Sequence, residues 1–337
     1  MGSVIPLKKE IDNSYLRLKN LVGHKLNDVT QRIKYKLASE INLVHKMTDY
    51  HIKSGGKRIR PLLTLASAKL CGYKNGNRDV NLAACIELIH NATLLHDDVI
   101  DNSDIRRGVK TANLVWGNQS SILVGDYLFS RCFEMMVEDG SEEILKLLSS
   151  TSSRIAQGEV LQLEHKGEID LLEETYFNII NMKTAALFSA ATKVGACLGN
   201  KNKKEKEALE SYGKNIGLAF QIADDALDYF SSNTIFGKEI GKDFYEGKTT
   251  LPLIIVFQRG NAEERNFLKE LFKRKKRNED DFSKTLTLIN KYKAVQASFK
   301  RAEHFVNVSY DSLGIFPYSE EKEILQNLAG FSLNRSF

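Results

Sequence analysis

The stretch at residues 94–108, LLHDDVIDNSDIRRG, places three aspartates at the end of a long apolar run that begins near Val80. Asp97, Asp98 and Asp101 have helical spacing, so the carboxylates of Asp97 and Asp101 should point the same way. They would also lie at the C-terminal end of a helix, where the helix dipole disfavours negative charge. A bound cation would neutralise the cluster, and Mg²⁺, which prefers oxygen ligands, is the natural candidate.

The same spacing recurs in residues 221–229, QIADDALDY, where Asp224, Asp225 and Asp228 lie within another apolar helical run. One acidic cluster alone could be a solvated turn. Two clusters among residues that should be buried are costly unless their charges are neutralised. Since neither run contains an obvious basic partner, the repeated spacing predicts two facing carboxylate clusters around shared metal ions.

Composition predicts a helical globular protein. The chain has 337 residues, of which 42% are hydrophobic and only 4 are proline, a balance that favours helices and a sizeable core. Apolar residues recur at three- and four-residue steps across residues 12–54, which predicts a long helix and a shorter second one. Because no strong change of composition marks a boundary, we expect one all-α domain over residues 1–337, with residues 1–40 as a peripheral N-terminal helix.

Charge and cysteine usage narrow the class of protein. The net charge is +5, and the basic runs are followed or interrupted by acids, which is typical of solvated loops rather than of a nucleic-acid interface. The four cysteines lack zinc or C-x-x-C spacing, so we expect reduced thiols in a cytoplasmic protein. The N-terminus resembles no signal peptide, and no apolar run is long enough to predict a membrane span.

A glycine pair at residues 55–56 precedes Lys57 and Arg60, and Pro61 is predicted to occupy the first position of the next helix. Helix N-termini favour anions, and the two cations beside this one predict a diphosphate site. A charged loop before a helix is the alternative interpretation.

Further cations surround the acidic clusters. His90 lies two helical turns before Asp97 and could donate to a substrate phosphate, although a lone histidine in a helix is more often an ordinary core or surface residue. Arg106 and Arg107 follow the first cluster, and arginine binds phosphate bidentately. Lys183 lies in an apolar run, where it either extends to solvent or supplies a cation. Residues 231–250 form a loop rich in glycine and lysine that could cover a polyanion through Lys238, Lys242 and Lys248.

Several chemistries lack their motifs. The Walker A sequence and the glycine fingerprint of dinucleotide folds are absent, which disfavours nucleotide hydrolysis and hydride transfer. Two aspartate clusters, several cations and apolar helices between them predict instead a metal–diphosphate site that opens on an apolar cavity. Metal ions make diphosphate a good leaving group, and apolar walls would keep water from an allylic carbocation.

These residues resemble the trans-isoprenyl diphosphate synthases, and among them the long-chain polyprenyl synthases. The resemblance spans roughly residues 45–330 and is carried by motifs in a fixed order: GGKRIRP (55–61), ELIHNATLLHDDVIDNSDIRRG (87–108), VGDYLFSR (124–131), QGEVLQLE (157–164), KTAALF (183–188), FQIADDALDY (220–229) and GKDFYEGKTTLPL (241–253). It implies an all-α, isoprenoid-synthase-type helical bundle around a central cavity, usually a homodimer.

The resemblance also implies roles for individual residues. The predicted ligands of Mg²⁺, with three ions in each active site, are Asp97, Asp101 and Asp224. The aspartates that complete the predicted catalytic clusters are Asp98, Asp225 and Asp228. The side chains expected to bind the diphosphate of isopentenyl diphosphate are Lys57, Arg60, His90 and Arg107. Those expected on the allylic diphosphate are Arg106, Lys183, Lys238 and Lys248, while Thr184 and Gln221 would line the reacting centre.

Small residues one turn before the first cluster bear on product length. Short-chain enzymes of the family often carry aromatic residues there, whereas this chain has Ala92 and Thr93. Small side chains would leave a tunnel open, which predicts a C40–C50 product of the kind found in ubiquinone side chains. Close helix packing is the alternative explanation of Ala92 and Thr93, and Phe133 and Met136 are weaker candidates for a deeper tunnel floor.

We therefore expect a Mg²⁺-dependent prenyltransferase that adds isopentenyl diphosphate units to an allylic primer such as farnesyl or geranyl diphosphate. Alternatives are a short-chain (C15–C20) synthase, a non-catalytic regulatory subunit of a heteromeric synthase, a terpene cyclase and a basic nucleic-acid-binding protein. Small residues before the first cluster disfavour the first, and the retained clusters and cations disfavour the second. A cyclase needs no second diphosphate site, and interleaved acids disfavour nucleic-acid binding.

Overall fold

Long helices build the protein, as its scarcity of proline predicts. The computed structural model describes residues 5–53, 55–230 and 240–331. In chain order its helices are α1 (Ile5–Lys36), α2 (Asn42–Lys53), α3 (Ile59–Leu70), α4 (Arg78–Ile100), α5 (Ala112–Trp116), α6 (Asn118–Asp139), α7 (Glu142–Glu164), α8 (Glu173–Ile180), α9 (Ala186–Leu198), α10 (Lys203–Leu227), α11 (Lys242–Glu246), α12 (Leu251–Arg259), α13 (Ala262–Phe272), α14 (Glu279–Lys291), α15 (Ala294–Ser312) and α16 (Glu320–Phe331). The predicted all-α fold is confirmed.

Three short elements complete the described chain. A π-helical turn (Asn181–Ala185) joins α8 to α9, and a 3₁₀ turn (Leu313–Ile315) follows α15. Strand β1 (Ile105–Arg106) pairs antiparallel with β2 (Val109–Lys110) directly after the first aspartate cluster. This hairpin turns the chain back toward the end of α4, and it therefore places an arginine beside the acids.

Local sequence signals define several helix starts. A capping box begins α10, where the Asn202 side chain accepts a hydrogen bond from the backbone N–H of Glu205 and the Glu205 carboxylate accepts one from the backbone N–H of Asn202. The same arrangement begins α13 at Asn261 and α14 at Asn278. Such caps satisfy backbone N–H groups that have no partner within the helix.

Two hydrophobic clusters form the core, and α10 contributes to both. Leu209, Tyr212 and Ile216 pack in the cluster built mainly by α1, α3, α4, α6 and α9. One to two turns further on, Leu218 and Ile222 pack in the cluster built mainly by α8, α12, α13 and α15. Because one helix is buried in both clusters, we propose that the chain forms a single domain.

Helix α1, predicted to be peripheral, packs one face against the core. Four residues of α1 at helical spacing are almost completely buried in the first cluster: Leu18, Val22, Val29 and Ile33. An apolar stripe repeated every three or four residues is stabilised only when it packs on other helices. Helix α1 is therefore part of the core.

Smaller differences concern helix boundaries. Pro61 is the third residue of α3 rather than the first, still within the first turn, where its missing N–H costs no intrahelical hydrogen bond. The π-helical turn interrupts the helical stretch between Glu173 and Leu198. After residue 250 the described chain forms five helices, α12 to α16.

No helix in the described ranges is long and apolar enough to span a membrane. All four cysteines are free and buried: Cys71, Cys85, Cys132 and Cys197.

Candidate active site

The first aspartate cluster ends α4 with its middle carboxylate buried and its outer two partly exposed. The Asp98 side chain is 2% exposed, and its Oδ1 accepts hydrogen bonds from Nε and Nη2 of Arg106 at 2.8 Å. This paired guanidinium offsets the desolvation of Asp98. Arg106, predicted to bind the allylic diphosphate, therefore also holds the middle aspartate, while Asp97 and Asp101 remain accessible.

The second cluster repeats this pattern at the end of α10. Asp225 is 5% exposed and accepts hydrogen bonds from the Tyr176 hydroxyl at 2.6 Å and from Gln221 Nε2 at 2.7 Å. The Thr184 hydroxyl donates to Gln221 Oε1 at 2.8 Å. Gln221 thus links Thr184 to the buried aspartate, and Asp224 is left partly exposed.

Asp228 anchors the helix that follows the loop. Its carboxylate accepts hydrogen bonds from the backbone N–H of Lys242 at 3.2 Å and of Asp243 at 2.9 Å. The backbone carbonyl of Asp228 accepts a third from Gly241, which adopts a left-handed conformation with φ of 84°. Backbone N–H groups at a helix N-terminus stabilise an anion. The Asp228 carboxylate therefore holds the start of α11 beside the second cluster.

Lys248 connects this region to the first cluster. Its Nζ lies 3.0 Å from Asp101 Oδ2 and 2.7 Å from Glu246 Oε2. Burial would lower the pKa of the Lys248 ammonium, but the carboxylates of Asp101, Asp243 and Glu246 raise it above its usual value. Lys248 is therefore a charged lysine held among acids.

Lys183 approaches the first cluster from the π-helical turn. Its Nζ lies 2.7 Å from Glu159 on α7. The two elements touch because residue 158 is glycine, where a Cβ atom would lie 2.8 Å from the Lys183 backbone nitrogen. Burial raises the pKa of Asp97 from 3.8 to about 7, and Lys183 opposes that rise. The ammonium of Lys183 therefore acts on the Asp97 carboxylate.

Two segments of the chain link the two clusters. Lys183 acts on Asp97 while the adjacent Thr184 hydrogen-bonds to Gln221 of the second cluster. Lys248 contacts Asp101 and is also affected by Asp243, which itself interacts with Asp228.

A second group of cations lies beyond the first cluster. The Arg60 guanidinium stacks 4.3 Å from the Phe188 ring centroid. Arg107 packs so tightly on residue 56 that a Cβ atom on Gly56 would lie 2.7 Å from its Nη1. Lys57, the next residue, is exposed. Glycine at position 56 therefore allows the arginine to approach the loop.

His90 belongs to the same group. Burial lowers the pKa of His90 well below 6.5, and the neighbouring Arg60 and Arg107 lower it further. The imidazole is consequently neutral near pH 7 and can donate one N–H. The positive charges of Arg60 and Arg107 therefore both act on the His90 imidazole, and cations near one another favour an anion.

Sequence reasoning missed three acidic residues around the site. Glu159 pairs with Lys183, and Asp243 lies against the second cluster, where burial and the nearby Asp228 raise its pKa well above the usual range. Burial likewise raises the pKa of Glu87, which Arg60 opposes. All three acids lie in quoted motif segments, so a search of those segments for acids would have found them.

The predicted chain-length residues lie in different environments. Ala92 is completely buried in the first core cluster, as the close-packing alternative expects, whereas Thr93 is partly exposed and its hydroxyl donates to the His90 carbonyl at 2.7 Å. Met136 is buried, but Phe133 is 46% exposed. The role of Phe133 and Met136 as a deeper tunnel floor stays a prediction.

Two of the lysines predicted to cover the substrate from the loop remain to be placed. Lys242 Nζ donates to the Ser103 hydroxyl at 2.7 Å, so it contacts the chain just after the first cluster rather than an aspartate of either cluster. Lys238 lies outside the described residues.

The donor chemistry of the site fits a hard divalent cation. Partly exposed carboxylates of Asp97, Asp101 and Asp224 offer oxygen ligands of the type that Mg²⁺ prefers. Within residues 5–53, 55–230 and 240–331, however, no three acidic, histidine or cysteine side chains form a ready-made ligand set. An ion held here would need further oxygen atoms, which water and a substrate diphosphate supply in magnesium sites of this kind.

The raised pKa of Asp97 predicts a pH-dependent stability of the metal-free protein. Because the pKa is 3.8 in the unfolded chain and about 7 in the folded protein, the folded state binds more protons between these values. The free energy of unfolding should therefore fall by at most about 1.4 kcal/mol per pH unit as pH rises through this window. Asp97→Asn should remove that slope in urea denaturation with a chelator present. The exposed Asp311→Asn variant is the control, and an unchanged slope in Asp97→Asn would contradict the assignment.

Comparison with solved structures gives a match to the fold. The fold matches the crystal structure of a polyprenyl synthase from Caulobacter crescentus, complexed with calcium and isoprenyl diphosphate, with a TM-score of 0.91 and 41% identity. The match covers 96% of this chain and 98% of that one.

Comparison with curated proteins gives related enzymes over nearly the full length. Octaprenyl diphosphate synthase of Escherichia coli is 37% identical over 319 residues, 95% of this chain and 98% of the relative. The all-trans-nonaprenyl-diphosphate synthase (geranyl-diphosphate specific) of Rhodobacter capsulatus is 38% identical over 305 residues, 90% of this chain and 93% of the relative. The polyprenyl synthetase family model matches residues 41–289. The chain therefore belongs to the polyprenyl synthetase family.

Proposed function

We propose that this protein is a Mg²⁺-dependent prenyltransferase that condenses isopentenyl diphosphate units onto an allylic diphosphate to make a long-chain, all-trans polyprenyl diphosphate. The observation that carries the proposal is the pair of aspartate clusters that Lys183–Thr184 and Lys248 link. Similarity to octaprenyl and nonaprenyl diphosphate synthases over more than 90% of those proteins supports the long product.

The allylic diphosphate would lie between the clusters. Asp97 and Asp101 would hold Mg²⁺ from one wall and Asp224 from the other, with three ions in the complete site. When bound, the ions supply positive charge that makes the diphosphate a leaving group. Lys183 and Lys248 would bind its outer oxygens.

Isopentenyl diphosphate would bind at the second group of cations. Arg60, Arg107 and the neutral imidazole of His90 lie together there, with Lys57 beside them at the surface. Guanidinium groups can bind diphosphate oxygens bidentately. This arrangement would aim the alkene at the allylic carbon, and it is the feature that a terpene cyclase would not need.

The product chain would extend along α4 away from the acids. Thr93, partly exposed one turn before Asp97, is the best candidate to line its path. A C40–C50 product would suit a quinone side chain.

We also propose a homodimer. The outer face of α6 exposes four large apolar side chains at helical spacing, from 43% to 66% exposed: Ile122, Leu123, Phe133 and Val137. An apolar face of this kind is typical of a protein interface, and sedimentation equilibrium would test it. The four free cysteines support a reducing, cytoplasmic location.

The decisive experiment for this function is turnover by the purified full-length chain. With farnesyl and isopentenyl diphosphates plus Mg²⁺, chromatography should resolve a polyprenyl product of about eight to ten isoprene units. Asp97→Ala should reduce the rate by at least about a hundredfold, because it removes a ligand of the catalytic charge. Full activity in Asp97→Ala, or no condensation by the unmodified protein, would contradict the proposal.

Product length should respond to Thr93→Phe. An aromatic ring one turn below the carboxylates would narrow the path and shorten the product, with little loss of the first condensation. Ala92→Phe is less suitable, because overpacking a fully buried position typically costs about 1–3 kcal/mol. Thr287→Phe, a substitution at an exposed threonine of α14, serves as the control for a general effect of an added ring. An unchanged product from Thr93→Phe would exclude this position as a length determinant.

A further inference from the structure

Lys248 forms an ion pair with Asp101, a carboxylate that is also a proposed metal ligand. Its Nζ is 3.0 Å from Asp101 Oδ2, a proposed metal-ligand atom, and 2.7 Å from Glu246 Oε2. The Lys248 side chain is only 16% exposed and that of Asp101 only 13%. In this partly desolvated setting an ammonium and a carboxylate attract each other more strongly than they would in water.

Backbone hydrogen bonds hold Lys248 in place. Its N–H donates to the Asp243 carbonyl at 2.9 Å, and the preceding Gly247 adopts a left-handed conformation with φ of 75°. The Gly247 carbonyl accepts a hydrogen bond from the N–H of Gly167, at 3.0 Å. At the other end of α11, Asp228 binds the first two N–H groups of the helix. The contact between Lys248 and Asp101 is therefore built into the fold.

The protein side chains leave a metal site incomplete. In the part of the chain that the structure describes, no three acidic, histidine or cysteine side chains converge as a ligand set, and one carboxylate that could contribute already has an ammonium partner. A divalent ion arriving alone would have to displace Lys248 from Asp101 and leave Glu246 as the only carboxylate in contact with its ammonium among those that the structure describes. An ion arriving with a diphosphate would bring that ammonium another anion.

We propose that Lys248 is a resident counter-ion that keeps divalent metal from Asp101 until a diphosphate binds, whereupon its ammonium moves to the diphosphate and releases Asp101 to the metal. This inference rests on the proposed function for the identity of the ligands. It predicts positive coupling between metal and diphosphate, and because such coupling is reciprocal, each ligand strengthens the other by the same factor. No covalent bond is made or broken in the exchange.

Binding measurements on the full chain test the inference without turnover. Mn²⁺ binding is followed by electron paramagnetic resonance, with and without inorganic pyrophosphate, and pyrophosphate binding is followed by calorimetry. In the unmodified protein, pyrophosphate should tighten Mn²⁺ binding by about tenfold or more, within the usual range of coupling. In Lys248→Gln, Mn²⁺ alone should bind several-fold more tightly, while the gain from pyrophosphate should shrink.

Two further variants separate this role from a general loss of charge. Lys242→Gln removes the same charge from α11, but Lys242 contacts the Ser103 hydroxyl and Glu246 instead of Asp101; it should keep the coupling. Lys248→Arg retains the charge and should also keep it. If Lys248→Gln does not fold, Lys248→Met, which keeps the aliphatic stem, takes its place.

Several outcomes would overturn the inference: Mn²⁺ alone binding no more tightly to the Lys248→Gln protein, coupling as strong as in the unmodified protein, or an equal change in Lys242→Gln. These outcomes are distinct from failure of the proposed function. If the protein shows Lys248-dependent coupling but forms no prenyl product, this inference stands and the proposed function fails. If the protein forms a prenyl product but its coupling does not depend on Lys248, the proposed function stands and this inference fails.

Discussion

Carboxylates brought together in a half-buried space must be neutralised, and the surroundings of the site follow from that constraint. The middle aspartate of each cluster is buried and hydrogen-bonded. Asp98 accepts a hydrogen bond from Arg106, and Asp225 accepts hydrogen bonds from Tyr176 and Gln221. Asp228 is satisfied by the N-terminus of α11. The carboxylates left partly accessible are those that geometry would offer to a metal and its diphosphate.

Much of this arrangement was predictable because it depends on local spacing. The i, i+4 interval fixes which aspartates share a helix face, and their position within apolar runs indicates burial. The cations Arg60 and Arg107 were also predictable, since glycine and helix-start signals surround them. Periodicity alone does not say what packs against an apolar stripe, and only the structure shows that the stripe of α1 packs in the first core cluster.

Tertiary contacts account for what the sequence did not reveal. The π-helical turn that carries Lys183 lies close to α7 at Gly158, a contact between segments more than 20 residues apart. The pairing of Lys183 with Glu159 and of Lys248 with Asp101 likewise joins distant segments. Local patterns show that charged groups are present, but only the fold decides which charges meet.

The central claim is that the two aspartate clusters act as one site. A double-mutant cycle measures this directly: the affinity for Mg²⁺–pyrophosphate is determined by calorimetry for the unmodified protein, Asp97→Asn, Asp224→Asn and the double variant. If both carboxylates bind the same metal–diphosphate complex, each single substitution should weaken the affinity at least about tenfold. The fold-loss of affinity in the double variant should then be much smaller than the product of the two single fold-losses. Losses that multiply independently would mean that the clusters bind separate ligands and would contradict the account.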